Sequence, residues 1–342
     1  MHEDSLPENW PVMRRFFLVV AALFFMADTQ QSVAQSRTPS PAAKSKLTAE
    51  SKLAKEAGSA DASSAEAGVE RADAWFERED QWHGFSRYHF RIADRDAYLV
   101  TPAEALPGRP WIWRARFPGY HDEMDVALVG QGFHLAYLDV ANQFGAPAVI
   151  EDAKAFYDEL IRDHELSSKP VMEGVSRGGL FVYNWATRYP NLVSGIYCDT
   201  PVLDFGSWPA GRGDGVGSAA AWKACLQAYG MTESEANAYK QQPVHKAAAI
   251  AEAKIPLLHI VSENDDVVPP KENTYRMRDA IRAHGHDLTV ISVPEGTEKS
   301  NGHHFDHPEP DRVIAFFRGC VEDAPNEASE SETKSKGDAD RS

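Results

Sequence analysis

The sequence has few cysteines and fewer basic than acidic residues. Its 342 residues include three cysteines, Cys198, Cys225 and Cys320. Three cysteines cannot build a disulfide scaffold, although one pair can bridge and leave a third thiol free. The formal net charge is −16, from 35 Lys and Arg against 51 Asp and Glu. Phosphate binding needs a basic face, and no Lys or Arg stripe is visible, so the sequence predicts no nucleic-acid partner.

Long apolar runs are also scarce. One run, from Phe16 to Met26, follows Met13-Arg14-Arg15 and precedes the small-residue pattern Ser32-Val33-Ala34. This order is typical of a secretory signal peptide, and the run is too short for a membrane span. We therefore predict a signal peptide over residues 1–35, a periplasmic or secreted mature protein, and no membrane attachment after cleavage. An uncleaved anchoring helix is the alternative.

Two segments contain almost no large apolar side chains. Residues 36–72 are rich in Ala, Ser, Lys and Glu, and residues 322–342 in Glu, Ser, Asp and Lys. Neither segment can bury enough surface to offset the entropy lost on ordering. We therefore predict a disordered linker over 36–72, a folded domain over 73–321 and a disordered acidic tail over 322–342.

Within the folded domain, strand patterns alternate with helix patterns. The predicted strands include residues 88–92, 96–100, 110–117, 132–140, 193–198, 255–261 and 288–293, and the predicted helices include 124–129, 147–164, 272–284 and 311–318. Such alternation predicts an α/β fold with a mostly parallel sheet and helices on both faces. Residues 204–253 break the alternation with a glycine-rich loop and Ala-rich helical segments, which indicates a small inserted cap.

A Gly-x-Ser-x-Gly pattern stands between an apolar strand-like run and a helix-like run. It consists of Gly174, Ser176 and Gly178 with Val175 and Arg177 between them. Glycine at both ends leaves room for a turn tight enough to lift the serine hydroxyl clear of the backbone. At the start of a helix, free N–H groups favour a developing negative charge. The alternative is a glycine turn that opens an ordinary helix.

A nucleophilic serine needs an imidazole to take its proton and a carboxylate to orient that imidazole. Asp265 follows the predicted strand 255–261, and His303 follows the predicted strand 288–293. Both therefore lie at the carboxyl ends of strands, where the active groups of such sheets are found. The open alternatives are Asp266, Glu263 or Asp199 as the acid and His304 as the base.

These three loops resemble those of the α/β-hydrolases, over roughly residues 80–320. Gly174 to Gly178 resembles the nucleophile elbow, Asn264 to Pro269 the acid loop, and Gly302-His303 the histidine loop. The resemblance implies an α/β-hydrolase fold, with Ser176 as nucleophile, His303 as general base and then acid, and Asp265 as the orienting carboxylate.

The same resemblance implies a reaction without a cofactor. His303, His304 and His307 form a small histidine cluster, but no second group of ligands has zinc-like spacing. We therefore predict neither a metal site nor a cofactor.

The oxyanion hole of such enzymes uses backbone N–H groups. The resemblance assigns one of them to Arg177 and the other to Arg116 or Phe117, in the loop after strand 111–116. This loop lacks the glycine-rich His-Gly form that is common in lipases. Arg177 beside the nucleophile is similar to the elbow of glucuronoyl esterases, where that arginine helps to stabilise the oxyanion. A solvated side chain is the alternative.

Four further side chains are candidates for substrate binding: Arg114, His121, Trp208 and His304. Arg114 and His121 flank the loop expected to face Ser176, where a guanidinium can bind a carboxylate or a sugar hydroxyl. Trp208 in the cap can stack on a sugar ring. The alternatives are structural ion pairs with the acids at 122, 123 and 125, and simple packing of Trp208.

The chain as a whole resembles exported α/β-hydrolases of polysaccharide-degrading bacteria. That resemblance implies a secreted serine esterase that removes acetyl or methyl esters from a small-molecule or oligosaccharide substrate. One alternative is a serine peptidase similar to the catalytic domain of prolyl oligopeptidases, which carry a propeller of repeated strands before that domain. No repeats are visible before residue 80. A non-catalytic binding protein on a hydrolase scaffold is the other alternative.

Overall fold

The computed structural model describes residues 75–322. In this part of the chain, the strands are β1 (Arg78–Trp82), β2 (Phe85–Ile92), β3 (Arg95–Thr101), β4 (Trp111–Ala115), β5 (His134–Leu138), β6 (Val171–Val175), β7 (Gly195–Asp199), β8 (Leu257–Ser262) and β9 (Thr289–Val293). They form one sheet in the order β1-β2-β3-β5-β4-β6-β7-β8-β9. The pairs β1–β2, β2–β3 and β3–β5 are antiparallel. The remaining pairs, β5–β4, β4–β6, β6–β7, β7–β8 and β8–β9, are parallel.

The helices cover both faces of this sheet. They are α1 (Glu123–Gly130), α2 (Pro147–His164), α3 (Gly178–Arg188), α4 (Ala219–Tyr229), α5 (Glu233–Ala238), α6 (Ala247–Glu252), α7 (Thr274–Ala283) and α8 (Pro310–Glu322). Helices α1 and α8 share one apolar cluster with Ile112, and α2, α3, α6 and α7 share another with Trp111 and Trp113. Successive residues of β4 thus point to opposite faces, as the pleat of a strand requires.

The sheet and its two helical layers confirm the prediction of an α/β-hydrolase fold. Helix α2 covers the predicted residues 147–164 because its apolar residues recur every three or four positions and form one buried stripe. Strand β1 was not predicted. It is an exposed edge strand of sequence Arg-Glu-Asp-Gln-Trp, in which only Trp82 is buried, so no apolar alternation marks it.

The segment between β7 and β8 departs from the alternation, as the sequence indicated. It contains α4, α5 and α6, and its apolar residues Phe205, Trp208 and Cys225 cluster with Leu180 of α3 and Val268 of the loop after β8. This cluster places Phe205, Trp208 and Cys225 beside the start of α3, which follows β6, and the loop that follows β8, whereas α6 packs with α2, α3 and α7 on one face of the sheet.

Several sequence predictions concern residues that the structure does not describe. The predicted signal peptide (1–35), the linker (36–72) and all but the first residue of the predicted tail (322–342) lie outside the described residues and stay predictions. Within residues 75–322, no helix combines the length and the apolar character needed to cross a membrane. All three cysteines lie in the described part of the chain and are buried, and none of them is in a disulfide bond, so the pairing that the sequence left open does not form.

The core should depend strongly on Trp113, whose ring centroid lies 4.7 Å from that of Trp185 and 5.2 Å from that of Phe156. Replacing Trp113 with Ala should lower the free energy of unfolding by about 3–5 kcal/mol, because it leaves a cavity in a packed layer. Chemical denaturation measures this loss. The matched change Trp75→Ala, at a ring 40% exposed, should cost clearly less, and an equal cost would contradict this view of the core.

Candidate active site

Ser176 stands in the sharp turn between β6 and α3. Its backbone has φ +48°, a left-handed conformation that is uncommon for a residue with a side chain. The Ser176 N–H donates to the carbonyl of Asp199 at 2.8 Å, and the Ser176 carbonyl accepts from the N–H of Gly179 at 3.0 Å and of Val202 at 2.9 Å. These three hydrogen bonds hold the strained turn from both sides.

Gly178 brings the start of α3 against the end of β4. A Cβ at this position would lie 2.2 Å from the carbonyl oxygen of Ala115 and 3.5 Å from Cβ of Arg116, so no other residue fits without backbone movement. The contact places the backbone that follows Ser176 beside the loop that follows β4. Arg177 and Arg116, two of the predicted oxyanion-hole residues, are thereby neighbours.

Ser176, His303 and Asp265 form one chain of hydrogen bonds. The Ser176 Oγ lies 3.1 Å from His303 Nε2, and His303 Nδ1 lies 2.7 Å from Asp265 Oδ2. His303 is 8% exposed and Asp265 3% exposed, whereas Ser176 is half-buried. The Nδ1–H donates to the carboxylate, which leaves Nε2 free to accept the serine proton. This is the geometry of a Ser-His-Asp triad.

The acid loop holds the Asp265 carboxylate in place. Its Oδ1 accepts the backbone N–H groups of Val267 at 2.9 Å and Val268 at 2.8 Å, while Oδ2 faces His303. These two backbone donors therefore fix the orientation of the Asp265 carboxylate towards His303.

Asn264 and Gly302 join the acid loop to the histidine loop. The Asn264 side-chain oxygen accepts the N–H of Gly296 at 2.7 Å. A Cβ on Gly302, where φ is +81°, would lie 2.0 Å from the backbone oxygen of Asn264. Because this close approach and this φ both require glycine, Gly302 lets the residue next to it, His303, reach Asp265.

The alternative acids and base lie elsewhere. The Asp266 and Glu263 side chains are exposed, and Glu263 accepts from the hydroxyls of Tyr275 and Ser292. Asp199 pairs with His121 rather than with His303. His304 is exposed, with its ring 5.2 Å from that of Tyr120 and 5.4 Å from that of His303. Its position at the rim keeps it a candidate for substrate contact.

The loop after β4 has an unusual backbone. Arg116 and Phe117 are consecutive left-handed residues, with φ of +70° and +46°. The Arg114 guanidinium beneath them donates to the carbonyl of Phe117 at 2.9 Å and to that of Tyr120. These bonds fix the loop in which the second oxyanion donor is predicted.

The prediction that Arg114 binds substrate is wrong. Arg114 is fully buried, and its Nη1 lies 2.5 Å from Asp125 and 2.8 Å from Glu173. Burial opposes the charge of Arg114, but the negative charges of Glu173 and Asp125 outweigh burial and raise its pKa. Arg114 instead forms structural ion pairs, which was the alternative to substrate binding.

The predictions for His121 and Trp208 also need correction. Both nitrogens of His121 face buried protein acceptors, the Asp199 carboxylate and the Phe305 carbonyl, so neither can reach a substrate.

Trp208 is 3% exposed, and its ring is covered by the Arg177 guanidinium at 5.3 Å, so it offers no open face for a sugar. Packing explains Trp208 better than stacking does.

Arg177 occupies a defined place beside the nucleophile. Its guanidinium lies 5.4 Å from the ring of Phe117 and 5.3 Å from that of Trp208, and it donates to the side-chain oxygen of Asn142 at 3.1 Å. Sequence reasoning missed Asn142, although it follows β5 at a strand's carboxyl end. The same criterion that found Asp265 and His303 would have found it.

A triad at the carboxyl ends of β6, β8 and β9 marks the molecule as a serine hydrolase with the α/β-hydrolase fold. Residues 130–323, more than half of the chain, match the model of the prolyl oligopeptidase family. The chain belongs to that family.

Solved structures with the same fold include three peptidases. A puromycin-hydrolyzing peptidase of Mycobacterium tuberculosis is 16% identical with a TM-score of 0.53, over 70% of this chain and 40% of its own. The acylaminoacyl peptidase of Pyrococcus horikoshii is 14% identical with a TM-score of 0.53, over 70% and 42%. Dipeptidyl peptidase 4 of Porphyromonas gingivalis is 14% identical with a TM-score of 0.51, over 69% and 35%.

This chain thus spans 35 to 42% of the length of these structures. No curated protein sequence matches it significantly. The expected likeness to carbohydrate esterases finds no support in these comparisons.

The assignment of the acid can be tested with a fluorophosphonate probe that labels the activated serine. Asp265→Asn should slow labelling of Ser176 by about 10⁴-fold at neutral pH, because His303 loses the partner that sets its tautomer. Gel-based labelling rates measure the effect. Asp266→Asn is the matched control and should label at nearly the wild-type rate. Similar losses in both variants would contradict the assignment.

Arg114→Met should lower the free energy of unfolding by about 3–5 kcal/mol, because it leaves Asp125 and Glu173 buried without their cation. Denaturant titration measures this loss. The control is Arg188→Met, which breaks an ion pair to Glu151 whose side chains are about 60% exposed and should cost less than about 1 kcal/mol. A stable Arg114→Met variant would show that Arg114 does not hold this region.

Proposed function

We propose that this chain is a serine peptidase that cleaves amide bonds of short peptides through an acyl-enzyme on Ser176. The observation that carries the proposal is the unbroken chain of hydrogen bonds from Ser176 through His303 to Asp265, in a member of the prolyl oligopeptidase family. The three peptidases of the same fold give further support. The same chain of bonds argues against a non-catalytic binding protein.

The proposed reaction begins when the Ser176 hydroxyl adds to the carbonyl carbon of the scissile amide. His303 Nε2 takes the hydroxyl proton and then passes it to the leaving amine as the C–N bond breaks. A water molecule next adds to the acyl carbon, and His303 takes a proton from it and returns that proton to Ser176 Oγ as the C–O bond to Ser176 breaks. The Asp265 carboxylate stabilises the imidazolium at each stage.

The negative oxygen formed in each addition step needs donors. In the proposal these are the backbone N–H of Arg177 at the start of α3 and that of Arg116 or Phe117. Their neighbouring positions across the Gly178 contact support this assignment. The Arg177 guanidinium adds a positive charge at the same rim, which favours a substrate with a polar or anionic group near its reacting carbonyl.

Hydrolysis of a carbohydrate ester is the second candidate. The observation that favours it is Arg177 itself, a cation held between Phe117 and Trp208 directly after the nucleophile. An ester of an acidic or polyhydroxylated sugar would suit this charge. The mechanism would be unchanged, with an alcohol in place of the amine as leaving group.

A substrate panel separates the two candidates. We expect the wild-type protein to release aminomethylcoumarin from aminoacyl, dipeptidyl and acetyl-aminoacyl amides, and we expect Ser176→Ala to release none. Acetylated xylan, pectin methyl ester and methyl glucuronate esters form the second arm. Cleavage of these esters with every amide left intact would overturn the peptidase proposal in favour of the second candidate. Equal turnover by Ser176→Ala would overturn both.

A further inference from the structure

A second imidazole–carboxylate pair lies beside the triad. His121 Nδ1 is 2.5 Å from Asp199 Oδ2, and His121 Nε2 is 2.7 Å from the backbone oxygen of Phe305. The Asp199 side chain is fully buried and that of His121 is 10% exposed. The proton transfers of the triad make no use of this pair.

The two contacts define the protonation state of His121. A carboxylate and a carbonyl can only accept hydrogen bonds, so both ring nitrogens of His121 must donate. A neutral imidazole has a single N–H, whereas the imidazolium has two. The geometry therefore calls for a positively charged His121 next to a negatively charged Asp199.

The surroundings of His121 agree with this charge. Burial by itself lowers the pKa of His121, but the hydrogen bond and the charge of Asp199 outweigh burial and raise it. Glu123 at the start of α1 acts in the same direction. From the histidine loop, His304 and His307 face His121, and their partial burial lowers the pKa of both, which favours their neutral forms. Burial also raises the pKa of Tyr120, so this neighbour stays uncharged.

The pair connects three loops of the active site. Phe305 follows His303 by two residues, and its backbone is held on both sides, with the carbonyl bound by His121 and the N–H donating to the Tyr120 hydroxyl at 3.4 Å. Asp199 also holds the nucleophile, because its backbone carbonyl accepts the N–H of Ser176 at 2.8 Å. His121 lies in the loop that follows β4.

We propose that His121, as an imidazolium paired with Asp199, is a positioning residue that holds the His303 loop against the nucleophile. The expected effect of His121 on turnover rests on the proposed function, whereas the protonation state of His121 does not. Removing the contact to Phe305 should displace His303 relative to Ser176 while leaving both residues present.

The sign of the pH dependence follows from the raised pKa of His121. The contact to Phe305 is complete while His121 is protonated, and it is lost as the pH rises through that raised value. Neutral His121 should keep its remaining N–H on the charged Asp199, so that the Nε2 lone pair faces the Phe305 carbonyl. We therefore expect kcat/KM to fall on the alkaline side, as His121 loses its proton and its contact to Phe305.

Asp199→Asn is the first test of this mechanism. The asparagine amide can donate to Nδ1, so a neutral His121 can keep its N–H on Phe305 at every pH. The alkaline fall in kcat/KM should therefore disappear in this variant. His307→Gln is the matched control, because His307 lies in the histidine loop near Phe305 but contacts the Tyr197 hydroxyl, at 3.2 Å, rather than Asp199. It should retain the fall. An unchanged alkaline fall in Asp199→Asn would overturn the proposal.

The second test removes the contact itself. The double variant His121→Phe/Asp199→Asn avoids leaving a buried carboxylate without its partner. A displacement of the catalytic base on the order of 1 Å should lower kcat by about 10²-fold with little change in KM. Circular dichroism and Tm establish that the variant is folded. A folded double variant with wild-type kcat would contradict the proposal.

Nuclear magnetic resonance of the ¹⁵N-histidine-labelled protein tests the protonation state without substrate. We expect one imidazolium with two protected ring N–H groups near pH 7, absent from the double variant. A neutral His121 would overturn the proposal even in an active enzyme. An imidazolium in a protein that turns over none of the panel substrates would support the His121 assignment and refute the proposed function.

Discussion

The active site depends on one backbone conformation, the left-handed turn at Ser176. Nothing in the serine side chain favours φ +48°, so the surrounding structure must impose it. Three backbone hydrogen bonds do so, together with the close contact between Gly178 and Ala115. The same contact aligns the start of α3 with the loop after β4. The three hydrogen bonds and this contact therefore position Ser176 beside the backbone N–H groups that we propose as oxyanion donors.

Buried charges fix the loops around this turn. Arg114, held by Asp125 and Glu173, binds two carbonyls of the loop after β4 from below. His121, held by Asp199, binds the histidine loop from the side. Buried charges are costly unless paired, and each of these is paired. The free-energy cost of burying these charges is offset by the hydrogen bonds they make, which hold the loop after β4 and the histidine loop in place around Ser176.

The sequence was most informative where one local pattern carries the information. Apolar periodicity located α2, and the positions after predicted strands pointed to Ser176, Asp265 and His303, which the fold brings within hydrogen-bond distance. Sequence reasoning failed where a side chain's direction depends on tertiary packing. Arg114 and His121 stand near the site in the sequence, but Arg114 points beneath the loop after β4 and His121 towards Asp199. Trp208 is covered by Arg177, and the edge strand β1 has no apolar pattern.

The central claim is that Ser176 is acylated and deacylated during peptide hydrolysis. Intact-protein mass spectrometry after rapid acid quench tests it most directly, with an activated acyl-aminoacyl ester as donor. We predict a transient mass increase equal to the acyl group, located by digestion on the peptide that contains Ser176 and decaying as product forms. Product formation with no adduct on Ser176, or continued turnover by Ser176→Ala, would contradict it.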